Sequence, residues 1–398
     1  MRIGIIRERK NPPDNRVPLS PEHCRTILNT YPDWEIKVEP SPNRCFSDDE
    51  YRAEGITLSE DLNDCDILFG VKEVPIESLI PEKQYYFFSH TIKAQPHNKK
   101  LLKAAIAKNI QLVDYECLTD YKGKRIIGFG GFAGIVGAHN GLLGYGKKTG
   151  LFDIKRAKDA KDFDELRALY KTIDWPNFRT VVTGGGRVAR GAITVMRATG
   201  IREVSPKEYL EQKFDEPVWA NVSSREYYRH KESNKFDRSF YEHPENFNCQ
   251  FREYIELTDL MINGIYYDVA GPPFFTLDEM AQDNFNISVI ADVTCDIAPE
   301  SSIPSTLFAS TIAEPFFDFN PNTRKEEVAF QDGNILMMTI DNLPNELPRD
   351  ASAHFGDVLL EKVVPELDNP QSPLIGRASI CRSGGLTSFF THLRDYAT

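Results

Sequence analysis

The residues best suited to chemistry fall in two groups. The first is a glycine-rich turn, Thr180-Val181-Val182-Thr183-Gly184-Gly185-Gly186-Arg187-Val188-Ala189-Arg190-Gly191. Its G-x-G-x-x-A spacing, after an apolar strand and before an apolar helix, suits an anionic pyrophosphate. Glycines allow a tight turn and a close backbone approach, and the free N–H groups of the helix start face the anion. The second group is scattered. Lys72 and Glu73 follow the apolar run Ile67 to Val71, His90 follows Tyr85 to Ser89, and Glu116 follows Ile110 to Asp114. A lysine and a histidine brought together could share proton transfers near neutral pH, provided burial or nearby cations lower the lysine.

The elements needed to gather these residues are legible in the hydrophobic pattern. Ile3 to Ile6 reads as a first buried strand. A helix follows from Pro21 to about Leu28, with Ser20 as N-cap and Pro21 at its first position. Strand-like runs at 67–71, 85–89 and 110–114 alternate with helical segments such as Leu101 to Lys108. That β-α-β rhythm predicts a parallel, doubly wound sheet, and ligands of such sheets sit beyond the C-terminal ends of the strands. Lys72, His90 and Glu116 all lie there. The fingerprint opens a second β-α-β region, with strands expected at 179–183, around Val204, and at 260–266, 287–291 and 335–340.

The fold class expected is therefore α/β, with two doubly wound Rossmann-like domains and a cleft between them. Residues 135–345 form the dinucleotide-binding domain. Residues 1–134 and 346–398 form a discontinuous substrate domain, closed by a helix from about Arg349 to Val364. The glycine-rich stretch 128–150 reads as a helix connecting the two. The segment 207–258 is charged and aromatic, with weak periodicity.

Composition narrows the partners. The 398 residues carry a net charge of −12, which disfavours nucleic acid and acidic membranes. No apolar run reaches membrane-spanning length, and the N-terminus lacks the apolar core of a signal peptide, so a cytoplasmic location is expected. Seven scattered cysteines without a C-x-x-C pair suggest reduced thiols and no metal site. An acid that holds the adenine ribose of NAD is expected about 20 residues beyond the fingerprint. Glu203 lies near that spacing, but Ser205 fits the strand end better, with Arg202 or Lys207 beside it for the 2′-phosphate of NADP. NAD and NADP both remain open as cofactors.

Several segments carry a family resemblance: Arg16 to Pro21, Val71 to Pro75, Phe87 to Gln95, Val182 to Gly191, Ile262 to Tyr266, Ala291 to Asp296 and Thr339 to Pro348. In this order the chain resembles the alanine dehydrogenase and transhydrogenase superfamily. Within it the chain is most similar to the lysine-forming saccharopine dehydrogenases and the lysine–2-oxoglutarate reductase domain of the bifunctional lysine-degradation enzyme. The resemblance does not extend to that enzyme's saccharopine-cleaving domain.

The resemblance implies interconversion of saccharopine with lysine plus 2-oxoglutarate, with NAD or NADP as cofactor. It implies Lys72 and His90 as the proton-transfer pair. Arg16, Lys93 and Arg125 would lie near substrate carboxylates, with Glu73 and Glu116 beside the substrate. Gly184, Gly186, Arg187 and Ala189 would form the pyrophosphate turn, and Ser205 would face the adenine ribose. Asn263, Ile265, Asp341, Asn342 and Leu343 would lie near the nicotinamide half, and Asp296 matches a functional aspartate of alanine dehydrogenases. Ala189 stands where part of the family has glycine, and Val188 where some members have cysteine. Two alternatives remain: an alanine- or opine-type dehydrogenase of the same fold, and a non-enzymatic nucleotide-binding regulator. The oligomeric state is left open.

Overall fold

A computed structural model describes residues 1–398, which divide into two compact units, Met1–Phe129 with Pro348–Thr398, and Gly130–Leu347. Both are built on eight-stranded, largely parallel sheets. The breaks fall at 129/130 and 347/348, where 134/135 and 345/346 were expected.

In the first unit, β1 (Arg2–Ile5), β2 (Glu35–Val38), β3 (Thr57–Leu58), β4 (Ile67–Phe69), β5 (Gln84–Phe87) and β6 (Gln111–Asp114) pair in parallel in the spatial order β3-β2-β1-β4-β5-β6. The chain reverses direction across the sheet on either side of β1, so the ends of β1 and β4 flank a topological switch point. Apolar residues of these strands are buried on both faces. Ile3, Ile5, Ile67 and Phe69 join one cluster, and Leu68, Tyr85, Phe87 and Leu112 join another. The first helix, Pro21–Thr30, starts as read from the sequence: Ser20 is its N-cap, Pro21 opens it, and Ser20 and His23 form a reciprocal capping box.

The C-terminal return does more than close the unit with a helix. Ser379–Arg382 and Gly385–Leu386 extend the sheet antiparallel at the β6 edge. The helix Pro348–Val358 places Phe355 against Phe88, Tyr115 and Phe129. Ser352 Oγ accepts a hydrogen bond from the Val17 N–H at 2.9 Å, which ties down the loop carrying Arg16.

In the second unit, β7 (Arg179–Thr183), β8 (Arg202–Glu203), β9 (Val218–Val222), a separate hairpin of β10 (Tyr228–His230) and β11 (Phe247–Cys249), β12 (Leu260–Asn263), β13 (Val289–Asp292), β14 (Phe316–Asn320), β15 (Lys325–Glu327) and β16 (Ile335–Met338) follow one another. The main sheet runs β8-β9-β7-β12-β13-β16-β14-β15. The strand around Val204 is thus only a two-residue edge, and β7 pairs instead with β9, inside the stretch of weak periodicity. Val218, Trp219, Ala220 and Val222 are buried there, so burial on both faces accounts for a strand that no polar–apolar alternation announces.

The glycine-rich helix, Gly130–Thr149, belongs to the second unit and is not a linker. It lies so close to the helix Arg187–Thr199 that a Cβ on Gly191 would sit 1.9 Å from the Gly131 carbonyl oxygen, and one on Gly134 would sit 1.8 Å from that of Val188. Backbone cannot yield there as a flexible side chain can. Gly191→Ala is therefore expected to destabilise this unit by at least ~1–3 kcal/mol, read as a lowered Tm, whereas Gly185→Ala, which meets open space, leaves Tm nearly unchanged. Equal Tm values for the two variants would refute the close packing.

No helix is long and apolar enough to cross a membrane. All seven cysteines are free thiols.

Candidate active site and dinucleotide turn

In the first unit, the residues past the C-terminal ends of β1, β4, β5 and β6 gather at one sheet edge. Glu8 follows β1, Lys72 and Glu73 follow β4, Ser89 and His90 follow β5, and Asp114 ends β6 ahead of Glu116.

His90 has a left-handed backbone, with φ of 53°, uncommon for a residue with a Cβ. Its Nδ1 lies 2.5 Å from Glu73 Oε1, and its ring stacks on Phe88 at 6.3 Å between centroids. Burial by itself raises Glu73, but the hydrogen bond and charge of His90 outweigh it and bring the carboxyl down to about 2. An ionised Glu73 favours the tautomer with hydrogen on Nδ1 and leaves Nε2 available for a proton. Lys72 is held below the usual lysine range. Burial is the main cause, like-charge repulsion from Arg16 and Lys10 adds to it, and Asp14 and Glu73 oppose it.

The other predicted substrate residues are placed unequally. Lys93 and Arg125 both reach Glu116 Oε1, at 3.7 and 3.2 Å, so Glu116 joins two cations, while its buried Oε2 has no partner. Arg16 is only 3% exposed. It is paired with Asp14, its Nε and terminal nitrogen donating at 2.9 and 2.5 Å, and it stacks on Phe129. It adds positive potential at Lys72.

In the second unit, Gly184 has φ of +99°, and a Cβ there would meet the Gly264 carbonyl oxygen at 2.8 Å, so only glycine suits the turn. Gly186 is the N-cap of the helix Arg187–Thr199, with no side-chain cap on its N–H groups, and a Cβ on Gly185 or Gly186 meets open space. Ala189 is fully buried, and its backbone lies within 3.0 Å of where a Cβ on Gly264 would stand. A pocket of about 380 Å³ opens over this turn and is lined by Gly184 to Gly186, Ser223, Tyr228, Tyr241 and Ile265, among others. Exposed glycine N–H groups at a helix start, beneath an aromatic wall, fit the pyrophosphate and flat rings of a nicotinamide dinucleotide.

The other predicted cofactor residues differ in where the structure places them. Ser205 is the N-cap of the short helix Pro206–Glu211, bonded to Glu208, and does not line the pocket. Because β9 lies beside β7, the residue at the strand end is Ser223. Asn263 is fully buried, with its carbonyl oxygen bonded to Thr183 and its amide donating to Asp292 and Ser302, so its side chain locks the ends of β7, β12 and β13 together. Leu343 is 1% exposed and packs in the core. Asp341 is exposed and Asn342 half-buried, and Arg187 is exposed at the first position of its helix. Asp296 is half-buried, and burial together with the charge of Asp292 raises it to about 6.

Glu8, Asp114, Ser223 and the pocket tyrosines escaped the sequence reading. The first two do stand at strand ends in the same way as Lys72 and His90, and that placement is the signal that could have found them.

Residues 4–136 match the family model "Alanine dehydrogenase/PNT, N-terminal domain". The chain is 30% identical over 441 residues to an alpha-aminoadipic semialdehyde synthase of Arabidopsis thaliana, covering 98% of this chain but only 41% of that protein. It is 28% identical to a saccharopine dehydrogenase [NAD(+), L-lysine-forming] of Yarrowia lipolytica, with 94% of each chain covered. Over nearly its whole length it is similar to saccharopine dehydrogenases. Its N-terminal third is similar to the alanine dehydrogenase/PNT N-terminal domain, and its fold is that of an L-alanine dehydrogenase structure, matched with a TM-score of 0.66 over 100% of both chains at 14% identity. The chain spans less than half the length of the aminoadipic semialdehyde synthases it matches, 41% of the plant protein and 47% of one from Bos taurus.

Proposed function

We propose that this protein interconverts saccharopine with L-lysine plus 2-oxoglutarate, with Lys72 and His90 as its acid–base pair. The observation that carries the reading is the Glu73–His90 pair set beside a half-buried Lys72 whose proton affinity is lowered. The similarity to proteins named for this chemistry supports it.

In the oxidative direction the substrate's secondary ammonium first gives up a proton, for which Lys72 Nζ and His90 Nε2 are the acceptors. Gly184 to Gly186 would hold a nicotinamide dinucleotide, which would supply the hydride acceptor for the adjacent carbon, or the donor in the reverse direction. Water then adds to the resulting imine carbon and gives its proton to the pair. A proton passed to nitrogen, while the carbinolamine hydroxyl gives its own proton to the pair, lets the C–N bond break as the carbonyl forms, releasing lysine and 2-oxoglutarate. Lys93 and Arg125 bind substrate carboxylates, with Glu116 holding the two cations in place. Glu73 keeps Nε2 of His90 as the exchanging atom.

For the cofactor we infer a preference for NADP. At the end of β9, where a ribose-binding acid stands in NAD-specific turns, this chain has Ser223, Ser224 and Arg225. Glu226 accepts hydrogen bonds from the Ser223 N–H and hydroxyl. The Arg229 guanidinium donates to the carbonyls of Arg225, Tyr228 and Glu226 and adds positive charge. Arg225→Ala should weaken NADPH binding by about tenfold and leave NADH binding nearly unchanged, in line with the loss of one charge-assisted phosphate contact. Equal losses for the two dinucleotides would exclude a 2′-phosphate contact.

The activity is tested by following NADPH and NADH oxidation with lysine plus 2-oxoglutarate, with pyruvate plus ammonia in parallel. Turnover with the second pair alone would move the assignment to an alanine-type dehydrogenase. Dinucleotide binding without turnover of either pair would favour a nucleotide-binding regulator.

A further inference from the structure

The backbone carrying Lys72 and His90 lies beyond the ends of β4 and β5, where the ladder of sheet hydrogen bonds has run out, so something else must hold it. Two carboxylates at the ends of the neighbouring strands do so, Glu8 half-buried and Asp114 fully buried. Glu8, past the end of β1, accepts the Val71 N–H at 2.7 Å on one oxygen and the Lys72 N–H at 2.9 Å on the other. Asp114, the last residue of β6, accepts the Ser89 N–H at 3.0 Å and the Ser89 hydroxyl on Oδ2, and the Glu116 N–H at 2.7 Å on Oδ1. The Ser89 hydroxyl is also 2.8 Å from Thr91 Oγ1 and accepts the Thr91 N–H, which closes the left-handed bend at His90 from both sides.

We infer that Glu8 and Asp114 are positioning residues of the reaction, one for Lys72 and the other for His90. The inference rests on Lys72 and His90 being the acid–base pair.

The chemistry explains why both are carboxylates. Each faces donors on both of its oxygens, and only an ionised carboxyl accepts on both sides; an amide would turn its own N–H₂ toward a backbone N–H. Keeping such groups ionised carries a cost. Burial, the largest influence on each, raises Glu8 to about 7 and Asp114 to about 6. A residue that only filled space at these positions would be apolar and would carry no such cost. Lost acceptors would leave the chain folded around β4 and β5 but let Lys72 and the His90 bend move, and small displacements of proton-transfer groups lower kcat far more than they weaken binding.

The test is a pair of double-mutant cycles at pH 8, where both carboxyls are largely ionised. Glu8→Gln and Asp114→Asn are each expected to lower kcat by about 10–100-fold, with KM for lysine and 2-oxoglutarate changing less than about threefold and dinucleotide affinity unchanged. Asp114→Asn should cost little more once His90→Gln is present, and Glu8→Gln little more once Lys72→Met is present, because each acts through the residue already removed. Should the buried amides prevent folding, Ser89→Ala removes only the hydroxyl tie to Asp114. It should lower kcat by about three- to tenfold, an effect that also disappears in the His90→Gln background. Full kcat in folded Glu8→Gln and Asp114→Asn, or losses that multiply undiminished with those of Lys72→Met and His90→Gln, would overturn the inference. Near-full activity of Lys72→Met and His90→Gln themselves would instead refute the acid–base pair, and the positioning role with it.

Discussion

Replacing Lys72 with Met, or His90 with Gln, is expected to lower kcat by about 10²–10⁴-fold, the usual scale for a positioned acid or base. Dinucleotide affinity should stay as it is, because both residues lie in the first unit and the glycine turn lies in the second. The double variant should lose less than the product of the single losses, since the two share one proton-transfer sequence. If both single variants kept near-full kcat, the assignment would be wrong. If only KM rose for Lys72→Met, Lys72 would be a carboxylate ligand.

The pH dependence gives an independent reading of the same pair. Lys72 is held below the usual lysine range, so its neutral form becomes available at lower pH than in a free lysine. Oxidation of saccharopine needs the deprotonated base, so kcat/KM should fall as pH is lowered, and this limb should shift or vanish in the variant lacking that base. Glu73 behaves in the opposite sense. Its carboxyl is depressed from 4.5 to about 2, so the stability it contributes is present above 4.5 and is lost as pH falls toward 2. The low-pH loss of activity should therefore occur above the range in which the Glu73–His90 pair itself is undone.

Gly186→Asp should weaken dinucleotide binding by about 10²–10³-fold, the effect of one added negative charge close to a pyrophosphate at reduced dielectric. The substitution is a clean test because a Cβ at Gly186 meets nothing within 4 Å, so the free protein should keep its Tm. Titration calorimetry with NADPH, alongside a melting curve without ligand, separates the two effects. Unchanged affinity in a folded variant would reject the Gly184–Gly186 turn as the binding site. Gly184→Ala makes the contrasting case: with φ of +99° and the Gly264 carbonyl at 2.8 Å from a Cβ, it should damage the fold itself.

Much of this protein was readable in one dimension. Short apolar runs bounded by polar strand ends identified β1, β4, β5, β6, β7, β12, β13 and β16, because a strand buried on both faces must be apolar throughout. The same logic marked Lys72, His90 and Glu116 as neighbours, since strands paired in parallel present their C-terminal ends at one edge. The glycine spacing specified the turn, because backbone sterics there are local: Gly184 needs a positive φ whatever surrounds it.

What the sequence left undecided depends on which segment lies beside which. Local patterning does not say that β9, 35 residues beyond Thr183 at its first residue, takes the place beside β7, displacing Arg202–Glu203 to the edge and making Ser223 the strand-end residue in place of Ser205. Nor does it say that Arg16 is matched by Asp14, that Asn263 is spent on Thr183 and Asp292, or that the glycine-rich helix packs within the second unit. A side chain's type states what it can bond, and its sequence spacing states which face it takes. Whether a guanidinium or an amide remains available for a ligand is decided by partners that only chain folding brings within about 3 Å, the reach of a hydrogen bond.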